Sequence, residues 1–209
     1  MKAFIKEWGL FIAIIIVALL TRIFVWDVVV VDGHSMDPTL ADKERLIIVK
    51  TTKIERFDIV VAKETDNGST KNIVKRVIGM PGDIIKFDKD QLTINGKKYS
   101  EPYLADFKSQ LADGKLEKTY QAYPLTSSLS AADRNNFVDL AQNAQAFTTD
   151  TNTGNPTFQV TVPKGEYFLM GDNRIVSRDS RVVGAFTRSD IIGEAKLRIW
   201  PLTKIGLMK

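Results

Sequence analysis

Residues Trp8 to Leu20 read WGLFIAIIIVALL, an apolar stretch without a single charge. With its flanks this stretch predicts a helix from about Phe4 to Trp26, and roughly 20 residues of helix are enough to span a bilayer. Trp8 and Trp26 fall where interfacial aromatics sit, and Arg22 is close enough to the end to reach outward. A cleaved secretory leader also has a short charged start and an apolar centre, but a small-x-small cleavage site must follow it. Here Val28 to Val31 is β-branched throughout, so the run reads as a retained anchor. Lys2 and Lys6 precede it, countered by Glu7 and matched by Arg22 and Lys43 on the far side. That slight bias points to a cytoplasmic N-terminus and an extracytoplasmic remainder.

The remainder is long enough for one large domain or one domain with a sizeable insertion, since the chain has 209 residues. Net charge is +4, with Lys and Arg scattered among acids. No basic run tracks a phosphate backbone, so no nucleic-acid partner is expected. Cys is absent, which excludes thiol nucleophiles, disulfides and Cys-ligated zinc together. The one His, His34, makes a His-rich metal site impossible. It also sits next to Ser35, and adjacent side chains of an extended chain point to opposite faces. Serine chemistry here needs a base other than imidazole.

From Asp27 onward the chain reads as β. Val28–Val31, Leu46–Lys50, Asp58–Lys63, Ile73–Ile78 and Asp83–Asp88 are β-branched runs bounded by turn residues. Leu92–Tyr99 carries Asn95-Gly96, a strong hairpin signal. Residues 101–157 are polar by contrast. Ser130–Ala146 has helical spacing, with Phe137, Leu140, Ala141 and Ala144 on one stripe, Ser130 at the cap and Asp133 in the first turn. Thr148–Pro156 reads as a mobile loop. Strand character returns at Phe158–Val162, Tyr167–Met170, Val182–Phe186 and Ile191–Trp200. The expected organisation is an anchor over 1–26, a β domain over 27–100 and 158–209, and an insertion or cap lobe over 101–157.

Three stretches carry candidate chemistry. In the first, Gly33-His34-Ser35-Met36-Asp37-Pro38-Thr39-Leu40, turn formers surround a serine. The second holds Ile73-Val74-Lys75-Arg76-Val77-Ile78; as a strand, both its faces are apolar except for one cation each. A lysine pressed into an apolar site loses its proton more readily, and its neutral amine then takes the proton of a serine hydroxyl. The third, Gly171 to Arg181, is dense in opposite charges and hydroxyls, suited to orienting such an amine.

Ser-Met-x-Pro-Thr-Leu, Lys-Arg-Val-x-Gly-x-Pro-Gly-Asp and Gly-Asp-Asn-x-x-x-Ser-x-Asp-Ser-Arg, in that order behind an N-terminal anchor, resemble the motifs of the bacterial type I signal peptidases. These are serine proteases that remove secretory signal peptides. The resemblance covers roughly Phe4 to Asp88 and Phe158 to Trp200, leaving Tyr103 to Asn155 outside. It implies a mostly β, antiparallel catalytic domain with a substrate cleft facing the membrane, behind a transmembrane helix. It implies Ser35 as nucleophile, Lys75 as general base, Ser177 as the hydroxyl that orients the Lys75 amine, and Asp179 and Arg181 as holders of that loop. Its partners would be signal-peptide-bearing precursors and the lipid bilayer, with no cofactor or metal. Two departures stand out. Phe57 occupies a position that is Gly in the family, and Gly33 has no hydroxyl where some members supply one to the oxyanion, leaving backbone N–H groups. Two other readings fit in part: a self-cleaving repressor-type Ser-Lys protease, which is soluble, and an anchored β domain that only binds. The polar lobe is expected to cap the body away from Ser35 and Lys75.

Overall fold

The computed structural model describes residues 2–66 and 68–208, with side chains from Trp8 onward. Helix α1 runs Lys2–Phe24. Its large apolar side chains from Leu10 to Phe24 are exposed, and no other described part of the chain covers them. Lys2, Lys6 and Glu7, on which the expected orientation rests, lie outside the described side chains. Among the described residues no helix is long and apolar enough to cross a membrane. Trp26 is not in the helix as expected, because its backbone pairs with Val49 and opens strand β1. Lys50 Nζ donates to the carbonyls of Arg22 and Ile23, closing the helix C-terminus with a cation.

The body is two antiparallel sheets. Strands β1 (Trp26–Val30), β2 (Arg45–Val49), β3 (Ile59–Asp66), β4 (Ser69–Gly79), β9 (Glu166–Met170), β10 (Phe186–Thr187), β11 (Ile191–Trp200) and β12 (Gly206–Leu207) make the larger one. Its order is β1-β2-β11-β3-β4-β9-β10, with β12 beside β11. Strands β5 (Ile84–Asp88), β6 (Gln91–Ile94), β7 (Lys97–Tyr99) and β8 (Thr157–Thr161) make the smaller, ordered β7-β6-β5-β8. The β6–β7 turn is the expected Asn95-Gly96 pair, with φ of 51° and 81° as a two-residue hairpin requires. Alternating strand residues fill three apolar clusters, one of them around Met36, Leu40, Leu46, Ile48 and Ile59.

One expected strand is not there. At Val182–Phe186 the chain instead forms α5 (Ser180–Val183) followed by β10. The Asp179 side chain accepts from the Arg181 N–H and starts a helical turn, which Gly184 ends at φ 87°. Phe57 adopts φ 73°. It thus keeps the left-handed backbone of a glycine position at a cost of about 1–2 kcal/mol. Arg76 Nη1 donates to its carbonyl, and its ring meets Tyr99 and Tyr103.

The segment between β7 and β8 is a helical lobe: α2 (Ala105–Ala112), α3 (Leu116–Gln121) and α4 (Ala131–Asn143). The Ser130–Asp133 cap is formed reciprocally. The buried face of α4 is Val138 and Ala141, whereas Leu140 of the expected stripe is exposed. The lobe has its own cluster of Leu104, Phe107, Leu116, Tyr120, Val138 and Phe147, and Ile175 and Val176 of the third motif pack into it. Two expectations are corrected by these contacts. The lobe is not away from the site, because its core shares those two residues. Nor is the start of the 148–156 loop loose, because Asp90 accepts from the Phe147 and Thr148 N–H groups and Thr148 is buried.

Candidate active site

Ser35 sits on the turn between β1 and β2. Met36 and Leu40, one and five residues after it in that turn, are buried in the first cluster and fix the turn to the sheet. The Leu40 N–H donates to the Met36 carbonyl at 3.0 Å. Gly33, at φ 88°, turns the chain out of β1, and its N–H donates to Asp42 Oδ1 at 2.7 Å. That N–H is therefore already engaged. The Ser35 N–H meets no acceptor among the described residues.

Lys75 lies on β4, between β3 and β9 in the sheet, and is 3% exposed. Its Nζ is 2.7 Å from Ser35 Oγ in a hydrogen bond. Burial pushes the Lys75 pKa down to about 8, against the pull of Asp179 and Glu64. The neighbouring Arg76 points to the other face and is also buried, in a two-bond pair with Asp172 at 2.9 and 2.7 Å. Thr39 Oγ1 donates to the same carboxylate at 2.6 Å, so the far end of the Ser35 turn is tied to the third motif. The one cation per face of the sequence pattern is what the fold uses, one as an amine beside Ser35 and one as a structural ion.

The third motif wraps behind this pair. Asp179 accepts from the Gly171 N–H at 3.0 Å and from Arg181 Nε and Nη2, both at 2.9 Å. Burial pushes its carboxyl up, but Arg181 and the hydrogen bonds outweigh this and hold it below the usual range. Arg181 also donates to the carbonyls of Thr149 and Arg174, binding the loop to the lobe's return segment. Ser177 differs from expectation. Its Oγ is buried and has no hydrogen-bond partner among the described residues, so it makes no bond to Lys75 in this structure. It lies against Gly171, where an added Cβ would stand 2.2 Å from Ser177 Oγ and 2.4 Å from the Ser35 carbonyl. The close approach of the Ser35 backbone carbonyl and the Ser177 side chain requires glycine there.

Among the described residues the His34 side chain bonds neither Ser35 nor Lys75. Nδ1 hydrogen-bonds Asp37 Oδ2 at 2.8 Å, and its ring stacks on Tyr123 of the lobe at 4.1 Å. Asp172 and Asn173 lie in the third motif but had no role assigned from the sequence, and Glu101, Tyr120 and Tyr123 of the lobe were missed altogether. Glu101 pairs with buried Arg174 at 2.5 Å, and Tyr120 bonds Asn173 at 2.7 Å. The charge density of the third motif was the one available signal; nothing local pointed to their lobe partners.

A cleft of about 430 Å³ opens over the pair, lined by Val31, Met36, Ile73 and Val74 from the body and by Phe137 from the lobe. β9 pairs with β4 only from Arg76 onward, so residues 71–75 present a free strand edge to this cleft.

A family described as "Signal peptidase, peptidase S26" matches residues 5–200, the lobe included. A signal peptidase I of Streptococcus pneumoniae is 54% identical over 98% of this chain and 97% of its own. Signal peptidase I S of Bacillus subtilis is 38% identical and signal peptidase IB of Staphylococcus aureus 34%, each over 98% of this chain and 94% of its own. Likeness thus extends across Tyr103 to Asn155, beyond the motifs. With its serine and buried lysine in hydrogen-bond contact beneath an open strand edge, this chain belongs to the S26 signal peptidase family.

Proposed function

We infer that this chain is a serine endopeptidase that removes signal peptides from precursor proteins, with Ser35 as nucleophile and Lys75 as general base. The 2.7 Å contact between a desolvated amine and the serine hydroxyl carries the reading. Neutral Lys75 accepts the hydroxyl proton as Oγ bonds to the scissile carbonyl carbon. The oxyanion then forms beside the Ser35 N–H. Collapse breaks the C–N bond, and the lysine proton goes to the leaving amine. Water, deprotonated by the same amine, releases the acyl group and restores Ser35. Asp179 and Arg181 hold the loop that closes over Lys75. Gly33 serves the turn and supplies no donor to the oxyanion. Ser177 Oγ, buried and unpartnered among the described residues, has a lone pair to accept from the Lys75 ammonium once the Ser35 proton moves.

An extended precursor adds along the free edge of β4, bonding through its main chain. The apolar lining accepts small side chains before the cut. The domain reading is an anchor over 1–26, a catalytic body over 27–100 and 158–209, and a lobe over 101–157. As anchor, α1 places the body on the outer membrane face, where lipid covers its exposed apolar residues and shared confinement raises the effective concentration of precursor. Exposed Trp200, Leu202, Ile205 and Leu207 add apolar surface to the β11–β12 side.

The test is direct. Purified protein in detergent is incubated with a signal-peptide-bearing precursor, and the products are sequenced. One cut after a small residue is expected; no cut, or cuts unrelated to small residues, ends the reading. Added protease acting on intact cells should digest the body, and its protection would overturn the orientation.

A further inference from the structure

The His34–Ser35 peptide is one planar unit, in which the His34 carbonyl and the Ser35 N–H point in opposite directions. Whatever grips the carbonyl also aims the N–H. Asn173 is its shorter partner: Nδ2 donates to the His34 carbonyl at 3.1 Å, beside a longer bond from the Asp37 N–H at 3.4 Å, while the Asn173 backbone N–H donates to the Ser35 carbonyl at 3.0 Å. The orientation of the Asn173 amide is forced, because a carbonyl only accepts and must face the NH₂ end. The Oδ1 end is then turned away, and the Tyr120 hydroxyl donates to it at 2.7 Å. Tyr120 lies on α3 of the lobe and, like Asn173, is fully buried. Ring edges of Tyr123, Phe137 and Phe107 fix it at 5.5, 5.8 and 6.2 Å. Burial holds its phenol above the ordinary range, so it stays a donor.

We propose that Tyr120 and Asn173 are positioning residues, a relay from the lobe core that fixes and polarises the Ser35 N–H as the oxyanion donor. A carbonyl that accepts a hydrogen bond makes the N–H of its own peptide a better donor. The relay rests on the reading of Ser35 as nucleophile, and it gives the lobe a part in the chemical step.

Tyr120→Phe removes one oxygen, leaves Asn173 Oδ1 unsatisfied and frees the amide to turn. Loss of a whole oxyanion donor costs about 100- to 1,000-fold in kcat, so loosening one predicts a fall of about tenfold. KM for a precursor peptide and the midpoint of the rising pH limb should not move. Asn173→Asp puts a carboxylate oxygen against the His34 carbonyl and should lower kcat about 100-fold, again at constant KM. A wall of the cleft would move KM, and a residue acting on Lys75 would move the pH limb; either result overturns the relay. So does a wild-type kcat in Tyr120→Phe, or in Asn173→Asp should the first variant not fold. Ser35→Ala is carried alongside. Cleavage by that variant refutes the nucleophile reading itself, whereas its inactivity together with a wild-type kcat in Tyr120→Phe refutes the relay alone.

Discussion

Replacing Lys75 by Met should abolish cleavage and stabilise the fold. Burial lowers the Lys75 pKa from 10.5 to about 8. At pH 7 a group at about 8 is neutral in about one molecule in ten, against about one in three thousand at its ordinary value. Burial therefore supplies about 300-fold more neutral base. The same displacement is a stability term worth about 3 kcal/mol. Its sign follows from proton binding. Between about pH 8 and 10.5 the unfolded lysine holds a proton that the folded one has lost, so stability rises with pH across that window. Below it the folded state carries the whole penalty of a buried ammonium; above it, none. Lys75→Met, which removes the charge and keeps the volume, should melt about 6–12 °C higher than wild type at pH 6–7, on the scale of 2–4 °C per kcal/mol for a domain of this size. The gain should shrink through pH 8 to 10 and vanish above. Thermal unfolding of the full chain in detergent reads this, beside a wild-type pH–rate profile that climbs toward pH 8 and then flattens. A flat profile, or a Lys75→Met protein less stable than wild type at pH 6, refutes the reasoning.

Ser35→Ala and Lys75→Ala should each lower kcat/KM by at least 1,000-fold, and the double variant should be no worse, since the pair acts as one unit; precursor cleavage followed by gel or mass spectrometry checks it. Gly171→Ala should lower the melting temperature and lose about 100-fold in kcat, because its added Cβ would lie 2.4 Å from the Ser35 backbone carbonyl and 2.2 Å from Ser177 Oγ and push that turn aside. Glu101→Ala strands the buried Arg174 guanidinium and should destabilise by about 3–5 kcal/mol, read as a lower melting temperature.

What was legible in the sequence was local. β-branched runs between turn residues set the strands, Asn95-Gly96 set its hairpin, and Ser130 with Asp133 set the start of α4. Lys75 and Arg76 were legible for a subtler reason: a strand apolar on both faces allows a cation only where something specific answers it. The answers lie far along the chain. Thr39 meets Asp172 across 133 residues and Arg76 meets it across 96. No periodicity records such a pairing. The lobe helices α2 and α3 were missed because they are short, and each offers too few buried residues to show a period, Phe107 in the first and Leu116 with Tyr120 in the second. The strand expected at Val182–Phe186 failed because one side chain, Asp179, overrode β propensity with a cap.

The lobe is where composition misled most, and excising it tests why. Polar segments between strands are usually permissive, but this one supplies a carboxylate to Arg174, a hydroxyl to Asn173 and a ring to His34. The three apolar clusters of the body include no residue from 101–157, so the sheets do not need the lobe to close. β7 and β8 are opposite edges of the small sheet, three strand spacings apart. At about 4.8 Å each a replacement must cover about 14 Å, so about eight Gly and Ser residues suffice. A chain so shortened should keep its β signature and its N-terminal helix α1. It should lose cleavage, because Arg174 is left uncompensated and the carbonyl behind the Ser35 N–H is no longer held through Tyr120. Since Glu101→Ala removes the first partner alone, and Tyr120→Phe the second alone, the three proteins separate damage to the ion from damage to the relay. Normal-rate cleavage by the shortened chain would mean that the lobe only rests on the site.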